Sequence, residues 1–556
     1  MLIATGLHTI DLVVVFVYMT AILFVGWYFS RGQKETQQFF VGNRSMPWLA
    51  VGLSIVATML STLTYLAAPG EMIQHGPAFA LSWLVIPLVF FIVNRIWIPF
   101  FMKLRVTSIY EYLEPRFGLA TRWVAVGLFV FVLRLLWMAM IVLTASLAVA
   151  QITHDIALES LPWHPSMEAW TVQVLWSVGI LATLYTMLGG IKAVIWTDVA
   201  QFVALFAGIV LTITFIALET QTGPLQWWKT LSAESNGWGG FPDWVSFDIT
   251  NRNVILFPLL HAVTWYICTF IADQVAVQRY LTTASIQAAQ RGNIVNFVSD
   301  FLIMLLLAIC GMALLTYYLD PTQKTVIAEG ISDPRHQDVA DKVFPHFIAH
   351  GLPVGVSGLV IAALFAVAMS SLDSGLNSIA TIITVDIAKR CNPGLSESRS
   401  LRLARILTLV VGVVTTLGAY IMYLTPNHYN IVGYTARTFN LALGPLGMLF
   451  IVGLFIPRVG QRAVLVGAFV SFLVATYAAW HVELLWFLGQ TDYEALVDAQ
   501  EFLRGPSPYL ITPFALISGI ATSLIASYIF PNYALETSRQ QTWSTIIRHP
   551  TESLSR

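Results

Sequence analysis

About thirteen stretches of this chain are apolar over roughly 20 residues, which is long enough to cross the hydrocarbon core of a bilayer as a helix. Only 11% of the 556 residues are charged, against about 25% in soluble proteins, so the chain lacks the polar surface that soluble domains need. The sequence therefore predicts an all-α integral membrane protein. The predicted spans lie near residues 10–29, 47–69, 77–102, 122–151, 168–189, 193–219, 252–277, 291–318, 352–388, 402–424, 432–456, 462–488 and 509–530.

Lys and Arg are distributed unevenly between alternate loops. One set of loops carries 20 of the 29 and the opposite set carries six, while three lie within spans. Because the excess of Lys and Arg marks the cytoplasmic side, we expect the amino terminus outside and the carboxyl terminus inside. This predicts a multi-pass protein of the plasma (cell inner) membrane, with one transmembrane domain over 1–531 and a short cytoplasmic tail over 532–556.

Several classes of protein are disfavoured by composition and motifs. A net charge of −1 gives no footprint for nucleic acid. The three cysteines form neither a disulfide framework nor a zinc-type pair. No nucleophile elbow, cofactor motif or His-Cys-carboxylate cluster is present, so we do not expect an enzyme. The oligomeric state is left open.

Four hydroxyl side chains crowd into the predicted span 47–69, at Thr58, Ser61, Thr62 and Thr64. Hydroxyls can satisfy the backbone groups that are freed where a helix breaks inside the membrane. They can equally bond to carbonyls of their own, unbroken helix. The spacing alone leaves both interpretations open.

A polar stripe runs along the predicted span 352–388. At helical spacing it contains Ser370, Ser374, Asn377, Ser378 and Thr381, with Asp373 at its edge. Neutral oxygens with a single carboxylate suit sodium better than a divalent ion, which prefers several carboxylates. The alternative is a polar seam between helices; because a seam does not obviously need Asp373, we favour the ion interpretation.

Among the charged residues within the predicted spans, Asp198 and Arg134 bear most directly on function. Asp198 lies roughly 9 Å along its helix from Lys192, where it can belong to an ion-release path or pair with a helix end. Arg134 lies roughly 18 Å from Arg122, near the midplane, so it must pair inside the protein. Its candidate partners are a carboxylate such as Asp373 and an anionic substrate.

Four motifs, at residues 39–48, 188–201, 273–281 and 370–371, occur in the order found in the sodium/solute symporter family. The chain resembles that family over about residues 10–530. The resemblance implies a LeuT-like core of two inverted five-helix repeats, about 47–219 and 252–456, with one helix before and two after. In such folds substrate and ions bind near the midplane beside broken helices.

The resemblance also implies a sodium site, built from backbone carbonyls and serine hydroxyls of the residues Ala57, Leu60, Val367, Ser370 and Ser371. The family's acidic residue beside the inner exit of that site matches Asp198, and a second cation position in some members matches Asp373 and Ser374. Ser or Thr is usual at the first of these two positions. Three roles remain open for Asp373: it strengthens the second cation site, it binds a proton, or it pairs with Arg134.

The substrate is suggested by departures from the sugar carriers. Leu63-Thr64 and Ser82-Trp83 stand where those members have Glu-Gln and Tyr-Glu, and residues 68–71 are closer to the branch that carries monocarboxylates, iodide and vitamins. Arg134 lies about one turn from the position at which sialic-acid carriers use an Arg. An apolar pocket with an intramembrane Arg favours an organic carboxylate.

We therefore predict a sodium-coupled secondary active symporter that imports a small organic solute, an organic anion by preference. A symporter for a sugar or an amino acid is the nearest alternative. A passive channel or a membrane sensor would be a different class, and the short tail argues against the sensor. The predicted pocket residues are Thr58, Thr62, Thr64, Trp83, Arg134, Trp137, Thr269 and Phe270.

Overall fold

The computed structural model describes residues 7–30, 35–233, 254–320, 333–335, 339–425, 431–487 and 507–548. Within these ranges the chain is helical, and a single bridge between Val459 and Pro531 is the only β-type pairing. The α-helices are α1 Thr9–Ser30, α2 Thr36–Val41, α3 Trp48–Met59, α4 Thr62–His75, α5 Ala78–Leu81, α6 Ile86–Ile92, α7 Ile98–Leu104, α8 Leu113–Phe117, α9 Leu119–Gly127, α10 Leu136–Ser160, α11 Met167–Thr220, α12 Pro224–Ala233, α13 Leu256–Ala272, α14 Gln274–Leu281, α15 Ile286–Leu319, α16 Ala340–His350, α17 Val356–Ile382, α18 Lys389–Cys391, α19 Glu397–Leu424, α20 Ile431–Phe455, α21 Gln461–Phe487, α22 Ile511–Ile529, α23 Leu535–Gln540 and α24 Trp543–Arg548. Short 3-10 turns lie at Gly42–Arg44, Ser82–Val85, Ile109–Tyr112 and Pro508–Leu510, and π-helical segments at Val93–Trp97, Leu128–Leu135 and Ile383–Ala388.

Eleven helical segments in the described part of the chain are long and apolar enough to cross a membrane. Two further pairs, α3 with α4 and α13 with α14, satisfy the same criteria together but are bent by 60° and 57°. Counting each bent pair as one span gives 13, so the predicted all-helical membrane architecture is confirmed. The predicted spans 168–189 and 193–219 form one bent helix, α11, which kinks at Gly190 with a φ of +56°.

The two broken spans place polar caps in the middle of the bundle. α3 ends at Met59, Leu60 is extended, and the side chain of Ser61 accepts a hydrogen bond from the Thr64 amide at 3.2 Å. Of the two interpretations of span 47–69, the structure therefore has the broken helix. The second break was not expected from the sequence: Asp273 is extended between α13 and α14 and caps the latter.

Burial separates the central helices from those that face lipid. α17 lies at the centre, and all its residues from Ala366 to Ile382 are buried. Peripheral helices instead expose large apolar side chains, such as Phe16, Phe131 and Ile525, each at least 65% exposed. Apolar groups on the outside and hydroxyls and carboxylates on the inside are the arrangement expected of a protein dissolved in a bilayer.

The carboxylate of Asp11 links α1 to the start of α17 by hydrogen bonds. Asp11 is buried, and its Oδ1 accepts hydrogen bonds from the amides of Gly355 and Gly358 at 2.7 and 2.8 Å. These amides lie at the start of α17, where unpaired N–H groups and the helix dipole favour a negative charge.

The predicted tail is folded onto the bundle as far as residue 548. Residues of α23 and of the turn after it contact the segment just before α9. The Tyr112 hydroxyl donates to the Gln541 carbonyl at 3.0 Å, and the Arg116 guanidinium in α8 donates to the Ser538 hydroxyl at 3.1 Å. Residues 549–556 lie outside the described part.

A charge network lies beside the tail. Arg390 and Arg122 donate to the Glu114 carboxylate at 2.8 and 2.7 Å. These hydrogen bonds, that of Arg390 first, lower the pKa of Glu114 from its usual value near 4.5.

Candidate functional site

The sodium ligands implied by the sequence come together where α17 crosses the end of α3. The Ser370 hydroxyl lies 2.7 Å from the Ala57 carbonyl oxygen and 3.0 Å from that of Val367. The Ser371 hydroxyl lies 3.4 Å from the Leu60 carbonyl oxygen. All five residues are at most 2% exposed.

The break after α3 explains why carbonyl oxygens are available there. The last four carbonyls of a helix lack partners within the helix. Ser371 reaches one of them, the Thr58 carbonyl, at 3.1 Å. A cluster of carbonyl and hydroxyl oxygens without a net charge can replace part of the water shell of a monovalent cation, and the donor set fits Na⁺.

Asp198 contacts α3 beside this cluster, at Thr58, and is fully buried in an ion pair. Its Oδ2 accepts hydrogen bonds from Ser54 at 2.5 Å, Thr58 at 3.2 Å and the Arg279 guanidinium at 3.0 Å. From the sequence Arg279 is expected to be a loop cation, but the structure buries it completely on α14. The guanidinium also donates to Ser374, the second residue of the possible second cation position.

Asp373 is not paired with an arginine in the described contacts. Its Oδ2 accepts a hydrogen bond from the Tyr185 hydroxyl at 2.7 Å, and Oδ1 lies 2.9 Å from the Ser374 hydroxyl. Arg134 forms its ion pair with Asp273, the residue at the break between α13 and α14. The suggested pairing of Arg134 with Asp373 is therefore wrong, because the break brings a different carboxylate to the guanidinium.

A cavity of about 210 Å³ adjoins the ion cluster on the α4 side of the first break. It lies between α4, α13, α15 and α20, and Met59, Ser61 and Thr64 connect its wall to the neighbouring Leu60. Of the residues predicted to contact substrate, Thr64, Trp83 and Trp137 line it. The solute cavity and the cation cluster thus share one short stretch of backbone.

The other predicted pocket residues lie elsewhere. Thr58 belongs to the Asp198 cluster, and Arg134 to its ion pair. Thr62 and Thr269 are fully buried, and within the described part of the chain their hydroxyls have no hydrogen-bond partner. Phe270 packs on Phe297 with ring centroids 5.2 Å apart.

Sequence reasoning missed most of the cavity wall. Besides Ser61, the additional polar and aromatic lining residues lie on α4, α13, α15, α20 and the turns before α6 and α22. They are Glu71, Ser82, His261, Trp265, Tyr266, Asp300, Phe439, Asn440 and Tyr509. His261 is an isolated histidine near the outer end of a predicted span, a context that predicts packing or capping rather than a ligand contact. Asp300 is a carboxylate within the predicted span 291–318, and this position alone marks it as a candidate functional residue, as it does Asp198 and Asp373.

The fold and this site define a class: a multi-pass helical membrane transporter, with its ion site and solute cavity beside two broken helices. The sodium:solute symporter family profile matches residues 39–474, and the chain belongs to this family. It is 31% identical to the sodium/sialic acid symporter SiaT of Proteus mirabilis, over 86% of this chain and 91% of the relative. It is 29% identical to the sodium/sialic acid symporter NanT of Aliivibrio fischeri, over 88% and 90%.

A solved structure gives the same fold. A Na⁺-coupled sialic acid symporter, in a substrate-bound outward-open state, matches with a TM-score of 0.74 and 26% identity, covering 94% of this chain and 99% of that one. The LeuT-like fold class and the assignment to sodium-coupled symporters are therefore confirmed, and the chain is no enzyme. Its partners are Na⁺, a small organic solute and lipid.

The preference for one branch of the family is not supported. Sodium-coupled monocarboxylate and multivitamin transporters of mammals match at 24% to 28% identity, below the sialic acid symporters. A sodium/glucose cotransporter of Vibrio parahaemolyticus matches at 26%, within the same range. The short sequence comparison at residues 63–64, 68–71 and 82–83 had too few positions to separate these branches.

Proposed function

We propose that the protein imports a small organic solute by alternating access, with Na⁺ bound by the carbonyls of Ala57, Leu60 and Val367 and the hydroxyls of Ser370 and Ser371. The observation that carries the proposal is the contact between the cation cluster and the solute cavity through the break after α3. Leu60 belongs to the first and Ser61 to the second. Binding of either ligand fixes the same stretch of backbone, so each favours the other.

The proposal includes a direction across the membrane. The excess of Lys and Arg in alternate loops supports an amino terminus outside the cell membrane and a carboxyl terminus in the cytoplasm. The cavity then lies in the outer half of the bundle, because α4 leads into an outer loop and the part of α13 that lines the cavity follows one. We also propose inverted repeats over about 47–219 and 252–456, within a single domain over 1–531.

We assign the second group of predicted cation ligands to the ion path, with one Na⁺ bound per cycle. The Arg279 guanidinium already binds Asp198 and Ser374, and it supplies a fixed positive charge where a second ion would otherwise lie. Asp373 supports this path from the other side, where Tyr185 orients its carboxylate. A sodium dependence with a Hill coefficient near one is the expected result, and a coefficient near two argues for a second ion.

One observation favours an organic carboxylate as the solute, and another opposes it. Sialic acid is an acidic sugar, so the substrates of the sialic acid and monocarboxylate relatives agree with the carboxylate predicted from Arg134. Against it, Arg134 is bound to Asp273 and does not line the cavity. A sugar or amino acid remains the alternative within the same transport mechanism.

The test is a thermal-shift screen of the purified protein, followed by uptake into proteoliposomes. Lactate, N-acetylneuraminate, glucose, proline and choline are each added in NaCl and in KCl, and a solute that stabilises the protein only in NaCl is then used for uptake. We expect concentrative, saturable uptake driven by an inward sodium gradient. Equal uptake with and without the gradient, or flux that does not saturate, contradicts symport and indicates a passive channel.

A further inference from the structure

The wall of the solute cavity is unusually rich in aromatic side chains. Its volume of about 210 Å³ lies below the roughly 300–1,000 Å³ of sites for drug-sized ligands, so the solute is small. Six aromatic rings line it, from five different parts of the chain. They are Trp83, Trp137, Trp265, Tyr266, Phe439 and Tyr509.

Four of these rings form a continuous surface. The centroids of Trp137 and Phe439 are 4.7 Å apart, those of Phe439 and Trp265 are 5.9 Å apart, and those of Trp265 and Tyr266 are 5.0 Å apart. The faces of aromatic rings carry partial negative charge, and several rings around one space attract a cation whose own substituents are apolar.

The charged side chains of the cavity wall also favour a cation. Glu71 and Asp300 are both carboxylates, at most 7% exposed, and among the described lining residues there is no Lys or Arg. Asp300 accepts a hydrogen bond from the Tyr266 hydroxyl at 2.5 Å, and no Lys or Arg of the described chain lies within ion-pair distance of it.

A third observation comes from an uncharged side chain. Asn440 lines the cavity, is only 2% exposed, and its Oδ1 has no hydrogen-bond partner among the described residues. An acceptor that is buried without a donor costs free energy, which a ligand N–H or a cationic methyl group would recover. Arg134 stacks over Phe439 at 5.8 Å, is held by Asp273 and does not line the cavity.

We propose that this cavity binds a solute that carries a positively charged, alkylated ammonium group, with the charge against the aromatic rings and the Asp300 carboxylate. The proposal rests on the transport function above and names its substrate class. A purely anionic solute would bring a second negative charge beside the buried Asp300 carboxylate. A zwitterion such as a betaine satisfies the site through its ammonium end.

The experiment compares probes of one shape and different charge. Choline, glycine betaine and carnitine are titrated against 3,3-dimethylbutan-1-ol, the uncharged carbon analogue of choline, and 3,3-dimethylbutanoate, the anionic analogue of betaine. Binding to the full chain in NaCl is read from its tryptophan fluorescence. We expect at least one ammonium compound to bind about tenfold or more tightly than its carbon analogue. Equal binding of the analogues, or binding of no ammonium compound, overturns the proposal.

Substitutions in the cavity wall test which residues bind the ammonium group. D300N is expected to weaken ammonium binding by about tenfold, whereas D155N, which neutralises an exposed carboxylate on α10 outside the cavity, leaves it unchanged. W265L weakens binding more than W265F, because only the phenyl ring keeps an aromatic face. Unchanged ammonium affinity in both D300N and W265L overturns the assignment to this cavity.

The stabilisation of each protein by NaCl over KCl is measured in parallel. It reports the cation cluster, which none of these substitutions touches. If NaCl stabilises the protein and the ammonium probes do not bind, the substrate class is wrong and the transport function stands. If NaCl has no specific effect on the wild type, the proposed function itself fails.

Discussion

Neutralising Asp198 is expected to destabilise the protein strongly, because it leaves the charge of Arg279 buried without its carboxylate. The two side chains are 3.0 Å apart and at most 1% exposed. Removing one partner of such a pair typically costs about 3–5 kcal/mol of folding free energy. D198N keeps the size and one oxygen acceptor, so the change isolates the charge.

The remaining contacts of Arg279 place the expected cost at the lower end of that range. The guanidinium still donates to the hydroxyls of Ser54, Thr58 and Ser374 and to the Val275 carbonyl. These neutral acceptors compensate part of the charge, and we expect a loss of about 3 kcal/mol. The double variant D198N/R279M removes both charges and is expected to recover most of it, since a buried ion pair replaced by uncharged groups is often close to neutral in stability.

Unfolding in mixed detergent micelles provides the assay. Cys268 and Cys310 are buried and Cys391 is exposed, so labelling by a thiol-reactive fluorophore in a C391A background reports unfolding. E536Q, which breaks an exposed pair of 3.6 Å on the tail, is the control and is expected to leave the midpoint unchanged. The reasoning is refuted if the double variant is as unstable as the two single variants combined.

Three further predictions concern other parts of the molecule. S371A removes one sodium ligand, a contact worth about 1.5–3 kcal/mol, so the apparent sodium affinity should fall by roughly 10- to 150-fold. S378A, on the same helix, is the control and should leave the sodium affinity unchanged. An unaltered sodium affinity in S371A contradicts the site. G190A should lower the unfolding midpoint, because the added carbon would lie 2.8 Å from the Phe39 ring at a φ of +56°; an unchanged midpoint contradicts the tight kink. The lowered pKa of Glu114 stabilises the fold above its usual value near 4.5, and this contribution is lost as the pH falls through the lower folded value. E114Q should therefore be less stable than wild type at pH 7, with a difference that shrinks as the pH falls below about 4.5; a difference that stays constant as the pH falls counts against the network.

The sequence was sufficient for the parts of the site that depend on local pattern. Ser370 and Ser371 stand out as hydroxyls in an apolar span, and the crowded hydroxyls around Thr58 indicate a weak point in the partner helix. The family motifs then relate the two segments to each other. All five predicted sodium ligands come together in the structure, although their binding of Na⁺ stays a prediction.

The partners of the buried charges could not be predicted in the same way. Arg279 follows a hydrophobic stretch and resembles a loop cation until the break at Asp273 turns its short helix into the bundle. The same break supplies the carboxylate for Arg134, 139 positions away in the chain. Pairings of this kind depend on where helices cross, which periodicity does not report.

The aromatic residues of the cavity wall could not be identified from the sequence, because the chain contains so many of them. The chain has 18 Trp, and in an apolar span a Trp that faces lipid has the same sequence context as one that faces a ligand. Trp83 is 6% exposed and lines the cavity, whereas Trp196 is 38% exposed at the periphery. Only the three-dimensional arrangement separates them.

The stability of the solute-free protein in NaCl and in KCl, at equal ionic strength, tests most directly whether the neutral oxygens between α3 and α17 bind sodium. A ligand that binds only the folded state raises the unfolding midpoint as its concentration exceeds the dissociation constant. We predict a saturable rise with NaCl, none with KCl, and loss of the difference in S370A. Identical midpoints in the two salts, or an undiminished sodium effect in S370A, would contradict the account.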